Sequence, residues 1–172
     1  MKIIRKEVSD ASVQDLVSCG VHPLMARLYA ARGVHSADEL DPTLGKLLPP
    51  STLKGSQQAA QVLADAIAQQ QRICVVADYD CDGATACAVA VRGLRMLGPH
   101  HVSYEVPDRI NDGYGLSAPI ARRVREAGAD VLVTVDNGIG SVEGVAEAMR
   151  LGLTVVVTDH HLPGDVLPQP HA

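Results

Sequence analysis

The chain has 172 residues, 47% of them hydrophobic and 20% charged, a balance that suits a packed core and excludes a disordered polymer. Its 15 basic and 20 acidic side chains leave a net charge of −5, so the surface as a whole does not attract nucleic acid. With four Tyr and neither Trp nor Phe, the core must come from Ala, Val, Leu and Ile, and binding by rows of stacked aromatics is excluded.

Lys2, Arg5 and Lys6 make the start basic, but Ser9 and Asp10 stand where a secretory signal needs its apolar run. The apolar stretches Val131–Val135 and Leu153–Val157 are far too short to span a bilayer. Cys19, Cys74, Cys81 and Cys87 show no CxxC spacing and read as reduced thiols without a zinc site. The expectation is a soluble, cytoplasmic protein with no membrane partner.

Residues 1–55 predict a small helical lead-in. Val13, Leu16 and Val17 have helical spacing; Pro23 opens a second segment through Leu24, Leu28 and Tyr29 that Gly33 closes. Ser36 with Glu39 has capping-box spacing before a short helix stopped by Pro42, and Pro49, Pro50 and Gly55 mark a linker. Ser56 is placed to cap the next helix, with Ala59, Ala60, Val62, Leu63, Ala66 and Ile67 on its apolar face.

From Arg72 the pattern becomes strand, loop, helix. Apolar runs at Ile73–Ala77, Val102–Val106, Val131–Val135 and Thr154–Val157 alternate with helical segments at Thr85–Leu97, from Ser117 to near Gly128, and Ser141–Met149. Residues 56–172 therefore predict βαβ units: an α/β, doubly wound, mostly parallel sheet with flanking helices. Each run delivers an aspartate close to its C-terminal end: Asp78, Asp108, Asp136 and Asp159. One such Asp is an ordinary turn former, but four share the edge where open α/β sheets bind ligands.

In the segment Asp78-Tyr79-Asp80-Cys81-Asp82-Gly83, three carboxylates at alternate positions repel one another without a countercharge, which metal supplies. The spacing matches the opening of an EF-hand loop, but Val89 replaces the bidentate Glu at the twelfth position and the preceding segment reads as strand. An aspartyl-nucleophile phosphatase is a second competitor, though it leaves Asp136 and the histidines unexplained. Gly138-Ile139-Gly140 hints weakly at a dinucleotide fingerprint, with Glu143 in place of the third glycine.

Asp159-His160-His161 is more specific. Imidazole suits Mn, Zn or Fe, and carboxylates suit Mg or Mn. On an extended chain adjacent side chains point to opposite sides, so only one histidine is expected to face a given metal while the other binds phosphate or orients a ligand. His100-His101 reads as solvated. Arg109, Asn111, Asp112, Gly113, Tyr114 and Gly115 fill the loop after the second strand; Arg109 could clamp phosphate, pair locally with Asp108, or stand exposed. Arg122, Arg123 and Arg125 read as a solvated helix face.

DYDCDGATA at 78–86, VPDRINDGYGLS at 106–117, VTVDNGIGS at 133–141 and VTDHHLPGD at 157–165 together resemble the successive motifs of the DHH phosphoesterase superfamily. The match is to its bacterial single-strand-specific 5′→3′ exonucleases, and HPLMARLYAARGV at 22–34 and LLPP at 47–50 extend it to the lead-in. The resemblance implies two Mn²⁺ or Mg²⁺ ions that activate water against a DNA phosphodiester in recombination and repair. It carries metal ligation to Asp78, Asp80, Asp82, Asp136 and His160, with Asp136 bridging. It gives catalytic roles to Asp80, Asp136 and His161, phosphate contact to Arg109 and His161, and hydrogen-bonding support of the histidines to Asp159. It implies single-stranded DNA as partner, with single-strand-binding protein and a helicase as further partners. It also implies elements after residue 172: a further aspartate ligand, a second domain with a glycine-rich His motif, and an oligonucleotide-binding fold. The chain is accordingly expected to be an N-terminal, truncated DHH domain that is not a competent exonuclease by itself. The alternatives are a non-catalytic remnant that binds metal or a protein partner, or another DHH-type phosphoesterase.

Overall fold

The apolar runs become strands: β1 (Ile73–Ala77), β2 (Val102–Glu105), β3 (Val131–Val135) and β4 (Thr154–Thr158). The structure is a computed structural model that describes residues 6–172; Lys2 and Arg5 of the basic start lie outside the described residues. Chain contacts divide the molecule into two compact units, one reaching to Pro49 and the other running from Pro50 to Ala172.

In the first unit, helix α1 (Asp10–Ser18) is capped by Ser9, whose hydroxyl accepts from the Ser12 N–H at 3.4 Å. Helix α2 (Pro23–Ala30) begins on Pro, whose missing N–H costs nothing at a helix start, and His22 Nδ1 accepts from the Leu24 N–H. Leu16 and Ala26 are fully buried between these elements. Glu39 reaches back to the Ser36 N–H at 2.9 Å and opens a 3₁₀ turn at Ala37–Leu40.

The second unit holds the sheet, in the order β2-β1-β3-β4 with every pair parallel. Side chains alternate between its faces along each strand. Ile73, Val75 and Ala77 of β1 share one core with Val131, Val133 and Val135, packed under α3 (Ser56–Ala68) and α4 (Cys81–Met96). Cys74 and Val76 share the other with Leu132 and Val155, under α5 (Ala118–Glu126) and α6 (Val142–Arg150). Helices thus cover both faces. All five residues of β1 and of β3 are buried, whereas the edge strand β2 leaves Tyr104 61% exposed.

From β1 the chain crosses to β2 on one side, and β3 then returns to the opposite side of β1. This order puts a switch point between β1 and β3, where a crevice opens at the carboxyl ends of the strands. Two contacts close the layers tightly. A Cβ on Gly144 of α6 would lie 2.1 Å from the Leu116 carbonyl oxygen, so only glycine lets α6 meet the start of α5. Arg123 clamps Asp112 with both terminal nitrogens and reaches Glu105.

Three local expectations are corrected. Helix α4 begins at Cys81 rather than Thr85, because the Asp80 carboxylate caps it. Gly55, at φ 74°, caps α3 instead of Ser56, which is already its first residue. On α3, Ala60 faces outward while Ala66 is buried. The arginines of α5 form an exposed face, as expected, and also pair on it: Arg122 with Glu147, Arg123 with Asp112 and Glu105, and Arg125 with the Ala129 carbonyl and Asp130.

Candidate metal centre

Asp78 leaves β1 buried, and its Oδ1 accepts the Tyr79 N–H at 2.8 Å. Asp80 accepts the Gly83 N–H at 3.1 Å, and Asp82 lies in the first turn of α4. The helix can start here because Gly83 has no Cβ; one built there would lie 2.6 Å from the Asp78 carbonyl oxygen. A helix N-terminus offers unpaired N–H groups and positive partial charge, which offset part of the repulsion among these acids. The Gly83 N–H holds the Asp80 carboxyl below its ordinary range, while burial, reinforced by Asp80, pushes Asp78 up.

Asp136 follows β3 with φ 63°, in the left-handed region that L-residues other than Asn and Asp seldom enter. Its N–H donates to the Thr158 carbonyl at 3.1 Å and its own carbonyl accepts from the Tyr114 hydroxyl at 3.2 Å. Asn137, fully buried, donates to the Val76 and Val135 carbonyls and accepts from the Leu116 N–H. It ties β1, β3 and the loop before α5 together at the base of the crevice.

Asp159 anchors the histidines. Its Oδ1 accepts from the His160 and His161 N–H groups and lies 2.7 Å from His161 Nδ1, while Oδ2 accepts from the Ile139 N–H. Burial raises the Asp159 carboxyl, but these donors outweigh it and the net shift is downward. The same contact raises His161. An ionised Asp159 only accepts, so Nδ1 carries the proton and Nε2 is the free ring nitrogen of neutral His161.

His160 Nε2 lies 2.8 Å from Asp136 Oδ1 and 3.7 Å from Asp82 Oδ2. One ligand atom from each of Asp136, His160 and His161 can be chosen so that all lie within 4.8 Å of one another, and the same holds for Asp78, Asp80 and Asp136. Asp136 belongs to both groups. Both rings therefore lie on one side of the chain, against the expectation that adjacent side chains point to opposite sides. The chain leaves the extended conformation after Thr158, Asp159 gathers both following N–H groups, and the two imidazoles lie with centroids 4.7 Å apart.

Arg109 stands at the rim, its guanidinium carbon 4.5 Å above the Tyr79 ring. The Asp108 carboxylate instead takes the Ile110 and Asn111 N–H groups, so a stacking contact replaces the local pairing. A cavity of about 530 Å³ opens beside the cluster, lined by Asp82, Asp136, Asp159 and His160 and by apolar Ala86, Val89 and Val157. Sequence reasoning gives no role to Asn137 or Tyr114. Asn137 meets main-chain atoms, and Tyr114 meets the Asp136 carbonyl and the His161 ring, partners brought close by the fold.

The arrangement suits divalent cations. Asp136 Oδ2 is buried without a hydrogen-bond partner, and burial pushes its carboxyl upward, with Asp82 and Asp80 adding to the push. An orphaned carboxylate oxygen between two groups of oxygen and imidazole donors is the environment a Mg²⁺ or Mn²⁺ ion would relieve.

Residues 72–172 match the DHH family, N-terminal domain. The chain belongs to the DHH family. It is 46% identical over 169 residues to the single-stranded-DNA-specific exonuclease RecJ of Salmonella typhimurium, covering 98% of this chain and 29% of that protein. With RecJ of Escherichia coli it shares 45% over 172 residues, 100% of this chain and again 29% of the relative. A crystal structure of exonuclease RecJ bound to manganese superimposes with a TM-score of 0.66 at 40% identity, over 72% of this chain and 32% of that one. The crystal structure of Thermus thermophilus RecJ in complex with Mn²⁺ gives 0.61 at 37%, over 93% and 22%. The DHH chain thus spans about three tenths of the length of the two RecJ proteins quoted.

Proposed function

We propose that this DHH chain supplies the metal-dependent catalytic centre of a 5′→3′ exonuclease that hydrolyses single-stranded DNA in the cytoplasm, in recombination and repair. The observation that carries the reading is Asp136, common to both donor groups and left with one buried oxygen unpaired. In this reading residues 1–55 are a helical lead-in and residues 56–172 the DHH portion. Four free thiols accord with a reducing compartment, and among the described residues no helix is long and apolar enough to cross a membrane.

Asp78, Asp80, Asp82, Asp136 and His160 would hold Mn²⁺ or Mg²⁺, with Asp136 shared. Two such ions, when bound, supply positive charge that neutralises a phosphodiester and makes an attacking water more acidic. The remaining work falls to the chain. Asp159 keeps His161 oriented toward Asp136 and favours its protonated form, a donor for a phosphate oxygen. Arg109, steadied by Tyr79, offers a second phosphate contact at the rim. Asp80 and Asp136, both acceptors, would orient an attacking water. Single-strand-binding protein and a helicase complete the proposed partners.

Titrating the purified chain with Mn²⁺ should give saturable binding that Asp136→Ala weakens about 100-fold or more, beyond the usual effect of a supporting residue. Grafted in place of the matching segment of Escherichia coli RecJ, the chain should sustain digestion of 5′-labelled single-stranded DNA. The same substitution should abolish it. Digestion that survives Asp136→Ala, or a folded graft that never digests, would overturn the proposal.

A further inference from the structure

Besides Arg109, the loop between β2 and α5 brings Tyr114 to the site. Tyr114 sits between Gly113 and Gly115, whose φ angles of 80° and 66° turn the chain sharply on either side of it. The loop end is fixed by the Leu116 N–H on Asn137, and a Cβ on Gly115 would press to 3.3 Å from the Asn137 side chain. Tyr114 is 48% exposed, so core packing does not account for it. Its polar end points inward instead. The hydroxyl donates to the Asp136 carbonyl at 3.2 Å and lies 3.4 and 3.5 Å from the two ring nitrogens of His161. The Tyr114 and His161 rings meet edge to face, centroids 6.0 Å apart at 83°.

These contacts bear on a residue in an uncomfortable conformation. Asp136 holds φ 63°, and left-handed backbone persists at an L-residue only where surrounding contacts overdetermine it. Its N–H donates to the Thr158 carbonyl and its C=O accepts from the Tyr114 hydroxyl, so both sides of the turn are held.

We propose that Tyr114 is a positioning residue: its hydroxyl holds the Asp136 turn in place and sets the plane of the His161 ring. The loop carrying Arg109 is thereby tied to the two loops that carry Asp136 and the histidines. This deepens the metal-site reading and rests on it for the effect on metal affinity, though not for the effect on the backbone.

The test is Tyr114→Phe, which keeps the ring and removes the hydroxyl. In metal-free chain, NMR at one pH should show altered Asp136 ¹³Cα shift and amide–Hα coupling, and altered His161 ring ¹⁵N shifts. Amides away from the Tyr114 loop and from the Asp136–His161 region should be unchanged, and the Tm should fall by only a few degrees, as expected for loss of one hydrogen bond. Mn²⁺ affinity should then fall about 10-fold, the lower end for loss of a group that orients ligands. Asp136 and His161 signals identical to those of the unsubstituted chain would overturn the proposal whatever happens to the metal. In the unsubstituted chain the spectra should also show ring-to-ring contacts between Tyr114 and His161; their absence would overturn it without any substitution. Failure of the unsubstituted chain to bind Mn²⁺ would instead overturn the metal reading, and the metal-free spectra would still decide Tyr114.

Discussion

At the N-terminal edge of the sheet, Arg95 donates to the Val102 carbonyl at 3.1 Å and Arg72 to the Ala127 carbonyl at 3.4 Å. At the opposite edge, Asp80 and Asp159 take backbone N–H groups while Asp136 keeps a buried oxygen with no partner. Parallel topology sets this polarity. Helices α4 and α5 end, carbonyls outward, where the arginines lie, and α4 begins where the acids lie. The basic edge satisfies its own groups through local contacts. The acidic edge is organised just as firmly but leaves Asp136 Oδ2 without a partner, and that shortfall is what supports the proposed metal site.

Asn137 provides the largest expected break in this contrast. Asn137→Ala removes three buried hydrogen bonds at the crevice floor and leaves main-chain groups of Val76, Val135 and Leu116 short of a partner. Unpaired buried groups cost about 1–3 kcal/mol each, with partial relief by relaxation, so a loss of about 2–4 kcal/mol is expected. Urea melts should register it, together with weakened Mn²⁺ binding. A loss below about 0.5 kcal/mol would mean the floor is held elsewhere.

A smaller effect separates charge used for structure from charge used for binding at the acidic edge itself. Arg123 holds the Asp112 carboxyl down at about 2. A folded-state value below the unfolded one stabilises above the ordinary carboxylate range, and the contribution disappears as pH falls through about 2. The Tm of Asp112→Asn should therefore lie below that of the unsubstituted chain above about pH 4, with the gap closing on further acidification. A gap that widens in acid would contradict the assignment. The smallest effect belongs to the opposite edge: Arg95→Ala should cost under about 0.5 kcal/mol and leave Mn²⁺ affinity unaltered, since Arg95 is exposed and far from the crevice.

The strands and the acids at their ends were readable because period and position encode them: apolar runs must be buried, and Asp78, Asp136 and Asp159 each follow a strand directly. The start of α4 was not, since three alternating acids resemble a loop until Asp80 is seen capping the helix through Gly83. The convergence of His160 and His161 was hidden for a similar reason. Alternation holds for extended chain, and the chain ceases to be extended where Asp159 collects their N–H groups. Asn137, Tyr114 and Arg123 each act on at least one partner 11 to 61 residues away, a distance at which local pattern carries no signal.

The scarcity of aromatic residues also makes the protein its own optical label. With no Trp, ultraviolet emission comes from four tyrosines alone. Tyr79 lies under Arg109 and Tyr114 against His161, so half of the emitters border the crevice. A paramagnetic quencher such as Mn²⁺, arriving among the carboxylates, would dim the native fluorescence of an unmodified sample, while Tyr29 and Tyr104 supply a background within the same molecule.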